Sequence, residues 1–308
     1  MEHPFQRWVD LARPRAQLWR TAIGSMLVVV VWLAWTMAFG LVAIGGGLVN
    51  PDALGAAMGQ GGASLTYHDA VMAMGVLLAT FWGLWLGVWL VAKLLHKRGL
   101  STVLAHDRRI TLDYFLVGMA LAAGYLALSL GSTWLSGPPP SRSSLPIEHW
   151  LIAFAPLLLL ILFQTAGEEL FFRGYLTQQL AARIPNPLVW GLLPSLAFGL
   201  AHTANGGGDA QFTVYYVAVA TLLGLVMTAL VWRTGGLAAA MGFHLMNNIG
   251  AMLLIGVAGL TPPISLFVMD FGTMMGSAST DVLVLGLLLA FVLSPFAPLP
   301  RGQPLRRK

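Results

Sequence analysis

Residues 149–183 read HWLIAFAPLLLLILFQTAGEELFFRGYLTQQLAAR, an apolar run with two adjacent acids and an arginine set deep inside it. Residues 150–167 contain no Asp, Glu, Lys or Arg. A membrane-crossing helix needs about 20 mainly apolar residues, and this stretch supplies them. The rest of the chain has the same character. Of its 308 residues 57% are hydrophobic and only 9% charged, and the mean hydropathy is +0.76. Soluble domains carry about a quarter charged residues, so lipid must be part of this chain's solvent. Disorder, a fibrous repeat and a secreted disulfide scaffold are excluded, the last because there is no Cys. The same absence excludes thiol catalysis and Cys-ligated metal.

Reading outward from 149–183 gives eight candidate spans: 22–49, 70–92, 112–135, 149–183, 188–204, 212–232, 236–258 and 282–298. Basic residues sort between the connections. Arg7, Arg13, Arg15 and Arg20 precede the first span. Lys93, Lys97, Arg98, Arg108 and Arg109 follow the second, Arg183 the fourth and Arg233 the sixth, and Arg301, Arg306, Arg307 and Lys308 close the chain. Fifteen of the 17 Lys and Arg residues thus occupy alternate connections. The opposite connections hold Arg142 with Asp52, Asp69, Glu148, Asp209, Asp270 and Asp281. The positive-inside rule then places both termini in the cytoplasm. It also explains the net charge of +5 without nucleic acid as a partner. The expected fold class is all-α: a polytopic membrane protein of about eight transmembrane helices.

Three regions follow: a basic segment 1–21, one transmembrane domain 22–298, and a basic tail 299–308. In the first, Phe5, Trp8, Val9 and Ala12 at helical spacing suit either an interfacial helix lying on the cytoplasmic leaflet or an ordinary basic flank. The abundance of Ala, Gly, Leu and Arg agrees with a bacterial plasma-membrane protein.

Ionisable groups inside a span are costly and point to function. Glu168, Glu169 and Arg173 lie in span 4, His202 ends span 5, and His244, Asn247 and Asn248 lie in span 7. Glu169 and Arg173, at i and i+4, can neutralise each other on one helix face, which leaves Glu168 without a local partner and free to act. A purely structural ion-pair network is the alternative. Phe198 stands at i−4 from His202, so its ring can pack beside the imidazole. Pro185 is 17 residues from both Glu168 and His202, which sets them at similar depth in a hairpin of straight helices. His244 and Asn248 share a face and can donate N–H groups to an oxygen or ligate a metal; interhelical bonding is the plainer role.

Glu168-Glu169-x-x-x-Arg173, Phe198-x-x-x-His202 and His244-x-x-x-Asn248, in this order on three spans, resemble the CPBP family of intramembrane proteases. That family includes the type II CAAX prenyl endopeptidases and the Abi-like and bacteriocin-processing relatives. The resemblance covers 149–258. It implies an endopeptidase in which Glu168 and His202 activate water while His244 and Asn248 hold the oxyanion, with Glu169, Arg173 and Phe198 supporting them. The implied substrate is a peptide or lipidated protein in the bilayer. It also implies a choice of mechanism, glutamate-dependent or metallo-. Zinc is the one cofactor in question, since Glu168, His202, His244 and Asn248 could coordinate it, although Asn is an uncommon zinc ligand. A proton-coupled transporter, with the acid and imidazoles as relay, and a non-catalytic scaffold or immunity protein on the same fold are the competing readings.

Overall fold

The computed structural model describes residues 3–58, 64–135, 137–206 and 209–300. The chain is helical nearly throughout. Among the described residues six helices are long and apolar enough to cross a membrane: Leu18–Gly45, Tyr67–Leu94, Leu112–Thr133, Ile147–Arg183, Ala210–Thr234 and Phe271–Leu293. We name their regular parts α2 (Leu18–Gly45), α4 and α5 (Tyr67–Thr80 and Trp82–Leu94), α7 (Leu112–Thr133), α8 and α9 (Ile147–Glu169 and Thr177–Arg183), α11 (Ala210–Thr234) and α13 (Phe271–Leu293). Short helices α1 (Pro4–Asp10), α3 (Pro51–Met58) and α6 (Ser101–Leu104) lie between or before them. On α2 the large side chains Met26, Val30, Leu33, Met37 and Leu41 form an exposed stripe. Such a stripe is tolerable only against acyl chains, so this is a multi-pass membrane protein.

Expected spans 5 and 7 are shorter than a bilayer crossing. They are the apolar rods Leu188–Ala201 and Ala238–Leu254, containing α10 (Leu193–Ala201) and α12 (Ala238–Asn248). These two rods carry His202 and His244. Every residue of α12 from Ala238 to Leu245 is buried, so protein rather than lipid surrounds it and bilayer thickness does not set its length. Helix α12 crosses α7 at glycine. A Cβ on Gly118 would overlap the Ala239 carbonyl, and one on Gly242 the Phe115 carbonyl. Small residues let backbones approach where lipid gives no hydrophobic drive to associate.

The eighth helix also differs from expectation. It begins at Phe271 rather than 282, capped by Asp270, whose side chain accepts the Thr273 N–H at 3.1 Å. Thr273, Ser277 and Asp281 follow at four-residue spacing, and all three are buried. Their polarity resembles a loop in a hydropathy window, yet they form an inward stripe. Asp281, expected in a connection, instead accepts hydrogen bonds from Ser129 on α7 and from Tyr215 on α11, the latter at 2.6 Å. Span 7 likewise stops at Leu254, where strand β2 (Ile255–Val257) begins. Strand β3 (Phe267–Met269) lies between β2, its parallel neighbour, and the antiparallel β1 (Ser141–Arg142).

The end of the bundle rich in basic residues is closed by protein. Phe5, Trp8 and Val9 of α1 are fully buried, so the apolar face of α1 lies on protein and not on a lipid leaflet. Trp8 Nε1 donates to the Val103 carbonyl at 3.1 Å, and Gln178 Nε2 donates to the Trp8 carbonyl at 2.8 Å. Gly235, left-handed at φ +68°, ends α11 against Pro4, where a Cβ would overlap the proline backbone. Arg233, expected in a connection, is buried in the last turn of α11. It donates to the carbonyls of Val292, Ser294, Ala297, Leu299 and Pro300. Of the expected basic tail, residues 301–308 lie outside the described residues.

His96, just past α5, is buried here as a neutral ring: its Nδ1 donates to the Arg15 carbonyl at 2.8 Å and its Nε2 accepts from the Tyr175 hydroxyl at 2.9 Å. Burial, aided by nearby Arg98, Arg20 and Arg15, pulls its pKa from 6.5 to about 4. Between those values the unfolded chain binds the proton and the folded chain does not, so stability falls as pH drops through that window. The thermal midpoint in detergent should decline from pH 6.5 towards pH 4, and less steeply in His96→Gln. Parallel profiles for the two proteins would show that His96 contributes nothing.

Candidate active site

Two departures from α-helical winding flank the polar residues. The segment Leu170–Leu176 directly after Glu169, and Ile249–Leu254 directly after Asn248, are π-helical. Such wide turns are frequent at functional sites, because they rotate side chains out of the regular phase. A third, Leu188–Leu192, precedes α10. The α8–α10 hairpin is therefore not a pair of straight helices, and equal counts from Pro185 do not by themselves set the relative depth of Glu168 and His202. Among the described residues no hydrogen bond joins them. His202 caps the end of α10, and the Phe198 ring touches both imidazoles, with centroids 4.5 Å from His202 and 5.6 Å from His244.

The adjacent acids meet different fates. Glu169 and Arg173 are wholly buried and paired, with a terminal guanidinium nitrogen donating to Glu169 Oε1 at 2.8 Å. The guanidinium also lies 4.0 Å from the centre of the Phe198 ring. That face offers cation–π attraction to a group whose Nε and second terminal nitrogen have no hydrogen-bond partner among the described residues. Gly224 on α11 provides the clearance, since a Cβ there would sit 2.7 Å from that second nitrogen. The expected pair is thus formed, with one addition: Glu169 Oε1 also accepts from His244 Nδ1 at 2.9 Å.

That second bond fixes the chemistry of His244. A carboxylate oxygen accepts, so Nδ1 carries its hydrogen, and Nε2 is left facing Glu168 Oε2 at 3.5 Å. Glu168 keeps 8% of its side chain exposed, against none for Glu169, so of the two only Glu168 has an edge that water can reach. It is not without a local partner, contrary to expectation. Gln164, one turn earlier, donates to Glu168 Oε2 at 2.7 Å. Asn248 Nδ2 donates to Gln164 Oε1 at 3.1 Å, and Asn247 Nδ2 to Asn248 Oδ1 at 3.2 Å. These amides form a directed chain ending on the carboxylate. Gln164 was legible in principle, being a polar residue in a span four positions before an acid.

His202 is partly buried at the edge of this cluster. Its Nδ1 donates to the Phe198 carbonyl at 2.8 Å, which leaves the lone pair of the neutral ring on Nε2. The Tyr216 ring stacks nearby, 6.1 Å between centroids and 20° from parallel. Among the described residues no three His, Asp or Glu side chains are grouped to hold a metal ion.

The comparisons with known proteins bear on the same stretch. Residues 150–250 match the family model for the Rce1-like type II CAAX prenyl endopeptidases. The chain is also similar to the uncharacterized protein YyaK of Bacillus subtilis (strain 168), 31% identical over 213 residues, which is 64% of this chain and 67% of YyaK. The matched stretch contains Glu168, Glu169, Arg173, His202, His244 and Asn248 on three neighbouring helical rods of a multi-pass membrane bundle. This chain belongs to the Rce1-like family of type II CAAX prenyl endopeptidases, a family of intramembrane proteases.

Proposed function

We propose that this protein is an intramembrane endopeptidase that cuts near the C-terminus of a prenylated or otherwise membrane-anchored peptide. The observation that carries the reading is the division of labour between two neighbouring acids: Glu169 is sealed by Arg173 and His244, while Glu168 keeps an open edge beside His244 Nε2. Peptide hydrolysis needs a base for water, a proton donor for the leaving amine and N–H groups for developing negative charge. Glu168 takes a proton from water as the water oxygen bonds to the carbonyl carbon. The carbonyl oxygen, now negative, accepts from His244 Nε2–H and from the second Nδ2 hydrogen of Asn248. His202, with Nε2 open to protonation, relays the proton to the amine as the C–N bond breaks. Glu169 holds His244 in the orientation that donates. None of these steps draws on a metal.

The test is cleavage of a farnesylated C-terminal peptide by the purified protein in vesicles, with the same peptide lacking the prenyl group as comparison. Cleavage of the farnesylated peptide supports the reading. Failure to cut it or any other membrane-anchored peptide defeats it. Asn248→Ala should lower kcat by roughly 10²–10³-fold with KM little changed, the signature of a lost oxyanion donor. A raised KM at constant kcat would instead make Asn248 a substrate-binding group.

A further inference from the structure

The basic end of α5 carries a feature that peptide hydrolysis does not use. Trp89, Lys93, Lys97, Arg98, Gly99 and Leu100 line an open cavity of about 420 Å³. Three of these six residues are cationic, and none is acidic. Lys93 Nζ stands 5.0 Å from the centre of the Trp89 ring. Among the described residues none of Lys93, Lys97 and Arg98 lies within 4.0 Å of a carboxylate. Arg98 is the most exacting of them. One terminal nitrogen donates to Gln178 Oε1 at 2.7 Å and to Thr102 Oγ1 at 3.2 Å, while Nε and the other terminal nitrogen are buried without a partner among the described residues. A guanidinium with two buried, unpartnered nitrogens and no carboxylate is costly unless an anion compensates it from outside the chain.

The backbone adds to the case. Helix α5 ends with the Arg98 N–H bonded to the Ala92 carbonyl at 3.0 Å and Lys97 left-handed at φ +53°. Glycine is the usual residue there. Lysine accepts a conformational penalty at this position and brings its ammonium to the cavity. Along α5, towards the middle of the bundle, Leu86 and Trp89 are exposed. The surface thus changes, within about two helical turns, from apolar side chains to an uncompensated cationic mouth.

We propose that this cavity binds the phosphate of an anionic phospholipid, with Lys93 and Lys97 on the headgroup, Arg98 supplying charge from behind, and the acyl chains along Leu86 and Trp89. Free phosphate shares the charged chemistry but has no use for the apolar strip, which is why the lipid is favoured. Basic pockets between membrane helices are a recurrent way of holding such headgroups.

The experiment measures lipid binding to the full chain in detergent. The probes are dioleoyl phosphatidylglycerol, dioleoyl phosphatidylcholine and inorganic phosphate alone. Phosphatidylglycerol should bind at least tenfold more tightly than phosphatidylcholine. Lys93→Gln/Lys97→Gln should weaken phosphatidylglycerol about 30-fold, or about fivefold per lysine. Both lysines are exposed, so the thermal midpoint without lipid should not move. Arg108→Gln/Arg109→Gln removes equal charge from the same connection and should cost less than about threefold. Equal binding of the two lipids, or equal losses in the two double variants, would overturn the site. Tight binding of inorganic phosphate that displaces phosphatidylglycerol would overturn the lipid as its occupant.

Discussion

Glu168→Gln is expected to lower the cleavage rate by roughly 10²–10⁴-fold, the usual contribution of a positioned general base, while the protein stays folded. The substitution is close to isosteric. The Gln164 amide that donates to Glu168 at 2.7 Å can donate equally to a carboxamide oxygen, so the helix contact survives. What is lost is the ability to take a proton from water, and the partner for a proton at His244 Nε2, 3.5 Å away. The measurement is a steady-state rate on the farnesylated peptide together with the thermal midpoint in detergent. A near-normal rate would remove Glu168 as the base. A collapsed midpoint would make it a structural residue.

The second large effect concerns Glu169. Removing one partner of a buried ion pair typically costs about 3–5 kcal/mol, because the other charge is left buried alone. Glu169→Gln should therefore destabilise strongly, since Arg173 has no exposed surface at all. Glu169→Gln/Arg173→Met removes both charges and should recover most of that stability, as apolar replacement of a buried pair generally does. Activity should not return with it. Glu169 also accepts from His244 Nδ1 at 2.9 Å, and a glutamine can present its N–H group there and no longer favours a charged ring. Thermal midpoints of the wild type, the single and the double variant, read beside kcat, separate the two jobs. Recovery of activity together with stability would mean that Glu169 serves only Arg173.

Much of the molecule was legible along the chain. Long apolar runs demand helices in lipid, and acid-first spacing at i and i+4 pairs Glu169 with Arg173. Both are local consequences of sequence. The misreadings share one physical origin. Thr273, Ser277 and Asp281 resemble a connection because hydropathy averages over neighbours in sequence, whereas their cost is offset in space by Ser129 and Tyr215. Phe5, Trp8 and Val9 suited either a helix lying on the leaflet or an ordinary basic flank, and protein covers them. An apolar face does not specify which apolar surface will bury it.

The amino-acid sequence on its own determined the solvent, the helical class and the small set of polar groups whose burial needs a reason. Those properties follow from side-chain chemistry and from repeats within one helix. Tertiary structure alone decided that His244, rather than His202, stands against Glu168, that Gln164 links Glu168 to Asn248, and that the Phe198 ring touches both imidazoles. Three π turns reset the phase of the side chains. The axial register of α12 against α7 depends on the close approaches at Gly118 and Gly242. Contacts between helices are set by that register, which no spacing within a single helix encodes.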